Sequence, residues 1–249
     1  MGEFDGLRAV VTGAASGIGA ATVAELAAGG AAVASLDLAD LRPAGAALGV
    51  RCDVSDTASV QSAVAESVAA FGGLDLVVNN AGIGAVGDVG ANDEEEWRRV
   101  FEVNVLGPVR VMSAALPHLR RSGSASVVNV CSVVAVVGVP QRALYSASKG
   151  ALLALTLAMA ADHVAAGIRV NAVTPGTADT PWVEKLIAVA PDPATARRQL
   201  EERQPMRRLV SAAEVARAIA YLCSPRSSST TGTVVAVDGG MAGIRLPYP

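Results

Sequence analysis

Tyr145 and Lys149 stand four residues apart at the start of an apolar helical stretch, so their side chains share one helix face. Ser132 lies upstream, just past a β-type run. A free phenol titrates near pH ~10 and is a poor base at neutrality. A neighbouring ammonium, and the cationic ring of an oxidised nicotinamide, each stabilise a phenolate. A tyrosine so placed can take the proton of an alcohol as hydride leaves its carbon, or return it to a ketone. Ser132 would hold the substrate oxygen in line. Alone, Tyr-x-x-x-Lys is equally compatible with an ordinary amphipathic helix start, and the surrounding sequence has to decide.

A second group of residues suits a dinucleotide. The run Thr12-Gly13-Ala14-Ala15-Ser16-Gly17-Ile18-Gly19 joins a β-type segment to a helical one. Glycines there permit a tight turn and let backbone N–H groups approach a pyrophosphate at a helix N-terminus. The spacing is G-x-x-x-G-x-G, a variant of the generic fingerprint. Asp37 ends the next β-type run, where a carboxylate can accept from ribose hydroxyls and repels a 2′-phosphate. Ser16 is neutral and the glycine loop carries no Arg or Lys, so both features favour NAD over NADP. Cys52-Asp53-Val54 and Asn79-Asn80-Ala81-Gly82 close two further β-type runs. Their small and amide side chains suit close approach to adenine and ribose.

These residues share one site only if the elements carrying them form one sheet. Strands are expected at 7–12, 32–36, 49–53, 74–79, 125–130, 169–174 and 234–237, several nearly continuously apolar, as in strands buried on both faces. Helices are expected between them, including 17–28, 57–71 and 94–119. Ser55 or Asp56 would cap the second of these, and Asn92 or Asp93 the third. Alternating β and α elements imply a single-domain α/β protein: a Rossmann-type, doubly wound parallel sheet of about seven strands with helices on both faces, spanning 1–249. The segment 175–205 breaks the rhythm, carries several prolines and follows a strand at its ligand-binding end, so a substrate lid is expected at about 177–205.

Composition narrows the function classes. The 249 residues are 51% hydrophobic but only 3% aromatic, with net charge −3, which offers neither a basic field nor stacking platforms for nucleic acid. The apolar run 151–161 lies between Lys149 and Asp162, short of the roughly 20 residues of a membrane span. Cys52, Cys131 and Cys223 are odd in number and far apart, and His118 and His163 have no motif around them. No metal site is expected, and reduced thiols fit a cytoplasmic protein.

Taken in order, the Thr12–Gly19 run, Asp53, Asn79 to Gly82, Asn104 with Gly107, Ser132, Tyr145 with Lys149, Pro175-Gly176 and Asp238-Gly239-Gly240 make the chain resemble the short-chain dehydrogenase/reductase family over almost its whole length. The resemblance implies a catalytic tetrad of Asn104, Ser132, Tyr145 and Lys149, with Asn104 holding a water that relays protons to Lys149. It implies cofactor contacts from Gly13, Ser16, Gly17, Ile18, Gly19, Asp37, Asp53, Val54, Asn80, Ala81, Gly82, Tyr145, Lys149, Pro175, Gly176, Thr177 and Thr180. It also implies a homotetramer joined through helices at 94–119 and 150–166.

Within the family, Pro175 to Pro181 with Arg203-Gln204 is similar to dehydrogenases of deoxy sugar acids and of cytosolic 3-hydroxybutyrate, which gather basic groups around a carboxylate. Arg142 and Arg203 are the matching candidates here, while a third basic position falls on Leu186, beside Lys185. That departure leaves room for a neutral sugar. A glycine usual in the family is replaced by Arg207. The implied activity is oxidation of a small polar sugar, sugar acid or hydroxy acid with NAD. Competing readings are a 3-oxoacyl-carrier-protein reductase and an NAD-sensing regulator without turnover. Asp37 and Ser16 argue against the first, and the presence of both Tyr145 and Lys149 against the second.

Overall fold

The computed structural model describes residues 2–39 and 41–245. The elements run β1 (Arg8–Thr12), α1 (Gly17–Ala28), β2 (Ala32–Asp37), β3 (Leu48–Arg51), α2 (Thr57–Phe71), β4 (Leu76–Asn79), α3 (Glu94–Phe101), α4 (Gly107–Leu119), β5 (Ser126–Val130), α5 (Ala143–His163), β6 (Arg169–Pro175), β7 (Ala178–Asp179), α6 (Pro181–Ala188), α7 (Pro193–Glu202), β8 (Val210–Ser211), α8 (Ala212–Cys223) and β9 (Val234–Val237). Seven strands form one parallel sheet in the order β3-β2-β1-β4-β5-β6-β9, as the alternation of elements implied. The two-residue strands β7 and β8 pair separately at the base of the 175–205 segment.

The continuous apolar runs are explained by burial on both faces. Ala9 and Val11 of β1 join Val23 and Leu26 of α1 and Val215, Ile219 and Leu222 of α8 in one core. Val10, between them, joins Val60 and Val64 of α2 and Val111 and Met112 of α4 in the other. Each central strand therefore needs apolar residues at every position.

The stretch 94–119 is not one helix. A π-helical turn, Glu102–Leu106, separates α3 from α4 and carries Asn104. Periodicity could not reveal it, because Val103, Val105 and Leu106 supply apolar residues on whichever face the extra residue selects. The caps resolve to Asp56, which accepts from Ala58 N–H, and Asp93, which accepts from Glu96 N–H. Arg207 has φ 52, in the left-handed region, which explains why glycine is usual there. Among the described residues one helix, Ala143–Ala166, is long and apolar enough to cross a membrane by length and composition. It buries Leu144, Ser148, Lys149, Leu152 and Thr156 within the fold, three of them polar.

Candidate active site

In an all-parallel sheet the carboxyl ends of the strands share one edge. β1 and β4 are neighbours where the strand order reverses, the position at which such sheets bind ligands. A cleft of about 480 Å³ opens there. Of the candidate catalytic, cofactor-binding and substrate-binding residues named from the sequence, all line it except Gly19 and Asn104.

The glycine loop forms one end. Gly13 and Gly17 have φ 62 and 56. A Cβ on Gly13 would lie 2.8 Å from the Ala81 Cα, so only glycine lets the loops after β1 and β4 meet. Gly19 serves packing instead, since a Cβ there would lie 2.2 Å from the Gly13 carbonyl oxygen. The two loops are tied together by Thr12, whose Oγ1 accepts from the Asn80 and Ala81 N–H groups at 3.0 Å each. The Asn80 amide donates back to the Thr12 and Gly13 carbonyls, both at 2.9 Å. Ser16 caps α1 without a side-chain cap bond, which leaves first-turn N–H groups to an anion. This cradle, which a Cβ would fill, fits a dinucleotide pyrophosphate.

Beyond it, Asp37 accepts from Ala15 N–H at 2.9 Å and from Ala39 N–H at 3.0 Å. Asp53 lies on the same wall, and hydrogen bonds from the Ser55 hydroxyl and N–H hold its carboxyl below the usual range. Cys52, the first residue of the Cys52-Asp53-Val54 run, also lines the cleft. Burial pushes its thiol up to about 11, so it presents a neutral wall.

At the other end, Ser132 follows β5 and caps a short 3₁₀ turn, Val133–Ala135. Tyr145 and Lys149 are in the first two turns of α5. The Lys149 ammonium lies 5.9 Å from the Tyr145 ring centroid and donates to the Val130 carbonyl at 2.9 Å, two residues before Ser132. Asn104 is fully buried. Its Oδ1 accepts from Ile83 N–H at 2.8 Å, while its amide donates to the Ile83 carbonyl at 2.9 Å and the Ser148 hydroxyl at 3.0 Å. Both amide hydrogens are thus engaged within the protein, which fixes the orientation of the side chain.

Arg142 precedes α5 and Arg203 follows α7; both line the cleft, and among the described residues neither forms an ion pair. Burial first, and the like charge of Arg203 second, lower Arg142's hold on its proton. Leu186 lines the cleft and Lys185 is exposed away from it, so the third basic position is apolar. Trp182, Val183 and Leu200 of the 177–205 segment, with Ile83, Gly84 and Met241, complete the wall and were not legible as site residues. For Trp182 and Val183 the sequence signal is the apolar stripe on α6.

A family model described as enoyl-(acyl carrier protein) reductase matches residues 13–242. The chain is 44% identical over 255 residues to cis-4-hydroxycyclohexanecarboxylate dehydrogenase of Sinomonas cyclohexanicum, an alignment covering 98% of this chain and 100% of that protein. Its fold superposes on ligand-free aldohexose dehydrogenase of Thermoplasma acidophilum with a TM-score of 0.92 at 32% identity, covering 99% of both chains. It superposes equally on a Burkholderia xenovorans protein assigned to the short-chain dehydrogenases/reductases, with a TM-score of 0.93 at 31% identity over 98% of this chain and 100% of that one. Likeness of this extent, on a sheet whose ligand edge carries a glycine cradle at one end and Ser132, Tyr145 and Lys149 at the other, shows that the chain belongs to the short-chain dehydrogenase/reductase family, as an oxidoreductase acting on CH–OH groups.

Proposed function

We propose that this chain is an NAD-dependent dehydrogenase that interconverts a small hydroxycarboxylate and its ketone, with Tyr145 as general acid/base. The observation that carries the reading is one continuous cleft running from Asp37 and the glycine cradle to Ser132, Tyr145 and the unpaired Arg142 and Arg203. NAD, when bound, supplies the hydride acceptor. The Ser132 hydroxyl orients the substrate oxygen, and the Tyr145 phenolate takes its proton as the C–H bond breaks. Lys149 favours that phenolate through its charge beside the ring. Asn104 acts as a positioning residue, since its amide fixes Ile83 on the cleft wall and Ser148 one turn along α5. Thr177 and Thr180 border the nicotinamide end with Pro175 and Gly176.

Two guanidiniums brought together without an acidic partner repel one another until an anion joins them, and a carboxylate can accept from both. The Sinomonas relative's name specifies a hydroxycarboxylate, which agrees with that reading. The 177–205 segment acts as the lid over this end. Three buried, free cysteines suit a reducing cytoplasm, and the uncovered apolar side of α5 suits a homotetramer.

The test is NADH formation with hydroxycyclohexanecarboxylates, 3-hydroxybutyrate, sugar acids and aldoses. Tyr145→Phe is expected to bind NADH normally and to lose about 10²–10⁴-fold in turnover. Arg142→Ala is expected to raise KM for acids selectively. Near-normal turnover by Tyr145→Phe would overturn the assignment.

A further inference from the structure

Trp182, the second residue of α6, is 49% exposed, yet its indole is held in a defined seat. A Cβ on Gly84 would lie 2.5 Å from its Cζ2 and 3.2 Å from its Cη2, so the six-membered ring rests directly on the Gly84 backbone. Thr180, the N-cap of α6, is seated in the same manner. A Cβ on Gly17 would lie 3.3 Å from the Thr180 Cγ2. The start of α6 therefore sits on two glycines, one opening α1 and one in the loop after β4. Val183 packs with Ile187 and Leu209 in a small core, which fixes the helix, and lines the cleft beside Trp182 and Leu186, one turn apart.

The chemistry of this end of the cleft is uneven. Val134 and Val139 from the loop after β5, and Leu200 from α7, add further apolar surface. Hydrogen-bonding side chains are Ser132, Tyr145, Lys149, Thr177, Thr180 and the two arginines, together with the indole N–H of Trp182, so donors outnumber acceptors. Among the described residues lining this end there is no Asp, Glu or Gln, and the amide of Asn80 is engaged by Thr12 and Gly13. A polyol entering such a site would find few acceptors for its several hydroxyl hydrogens, and each buried donor left unpaired is costly. A saturated ring with one hydroxyl and one carboxylate avoids that cost.

We propose that Trp182, seated on Gly84, is a specificity-determining residue: its indole supplies the flat apolar wall that selects an alicyclic hydroxycarboxylate over a polyhydroxylated sugar of similar size. The proposal rests on the dehydrogenase reading above and adds the substrate class. Gly84 is part of the same device, because any side chain there unseats the indole while leaving the tryptophan itself intact.

The experiment compares wild type, Trp182→Ala, Trp182→Phe and Gly84→Ala on cis-4-hydroxycyclohexanecarboxylate and on L-fucose with NAD. In parallel, cyclohexanecarboxylate, which has no hydroxyl to oxidise, is titrated into the enzyme–NADH complex while tryptophan fluorescence is followed. Wild type is expected to favour the ring acid. Trp182→Ala and Gly84→Ala should each lower the acid-to-sugar ratio of kcat/KM by about tenfold, mainly through KM for the acid, as loss of ~1.4 kcal/mol of apolar contact would. Trp182→Phe should retain most of the ratio. Cyclohexanecarboxylate should quench wild-type fluorescence but not that of Trp182→Phe, in which Trp97 is the remaining tryptophan. A wild-type preference for the sugar, or an unchanged ratio in both Trp182→Ala and Gly84→Ala, overturns the proposal. Absence of any turnover together with Trp182-dependent quenching would sink the dehydrogenase reading and leave the ring-acid pocket standing. Should Gly84→Ala fail to fold, the surface substitutions at Trp182 decide.

Discussion

Asp37 is tethered rather than merely present. Its carboxylate accepts from the Ala15 N–H of the glycine loop and from the Ala39 N–H just beyond β2, at 2.9 and 3.0 Å. Those two bonds fix the carboxylate on the cleft wall beside the glycine loop and leave lone pairs free, as recognition of an adenosine ribose there would require. A 2′-phosphate placed there would meet that charge, and no Arg or Lys among the described residues lines this end to offset it. Asp37→Asn keeps the shape and removes the charge. It is expected to narrow the preference for NAD over NADP by about tenfold or more in kcat/KM, equivalent to ~1.4 kcal/mol. Steady-state kinetics with both cofactors measure it. A wild-type enzyme that already prefers NADP, or an unchanged ratio in the variant, would remove Asp37 from the selectivity argument.

At the scale of elements, the far edge of the sheet needs its own fastening, because the cleft draws glycines and polar residues to the other edge. Asp75, just before β4, is buried and takes a bidentate ion pair from Arg8 of β1, with Nε–Oδ2 at 2.7 Å and Nη2–Oδ1 at 2.9 Å. Arg8 N–H and the Ser122 hydroxyl add two more bonds to the same carboxylate, so β1, β4 and the turn before β5 are joined at one point. Burial pushes the Asp75 carboxyl up, but these hydrogen bonds and the Arg8 charge outweigh it and hold it below the ordinary range. A carboxyl lowered in the folded state contributes stability above its unfolded value of about 3.9, and that contribution is lost as pH falls through the native value. Asp75→Asn is expected to destabilise by about 2–4 kcal/mol at pH 7. The gap from wild type should close below about pH 4. Urea unfolding of both proteins across that range measures it, and a gap independent of pH would show that the carboxylate charge is not what holds this corner. Element boundaries of this kind were legible where local chemistry repeats: apolar runs for the buried strands, the glycine loop, and the Tyr145–Lys149 spacing that a helix converts into a shared face. The π turn at Glu102–Leu106 was not, because apolar residues surround it on every face. Nor was the role of Trp182, whose seat at Gly84 lies nearly a hundred residues away in sequence.

At the scale of the whole molecule, α5 connects chemistry to assembly. One side of this helix packs into the fold through Leu144, Leu152, Thr156, Met159 and Ala160, and its first turns carry Tyr145 and Lys149. The other side shows Ala154, Leu157, Ala158 and Ala161 to solvent, with Leu157 49% exposed. A helix facing water ordinarily turns charged residues outward, and an uncharged strip of small side chains favours close approach of a second helix. The homotetramer implied by the family resemblance would cover this strip, and the partner's helix would brace the segment that positions Tyr145 and Lys149. Leu157→Glu places a carboxylate in the middle of the strip, where burial without a partner is costly but exposure is not. Light scattering is expected to give four chain masses for wild type and a lower mass for Leu157→Glu, with turnover falling in step and circular dichroism unchanged. A variant that keeps both the wild-type mass and the wild-type rate would place the interface elsewhere. A variant that dissociates yet stays fully active would separate assembly from catalysis, because α5 would then be held firmly enough by the sheet alone.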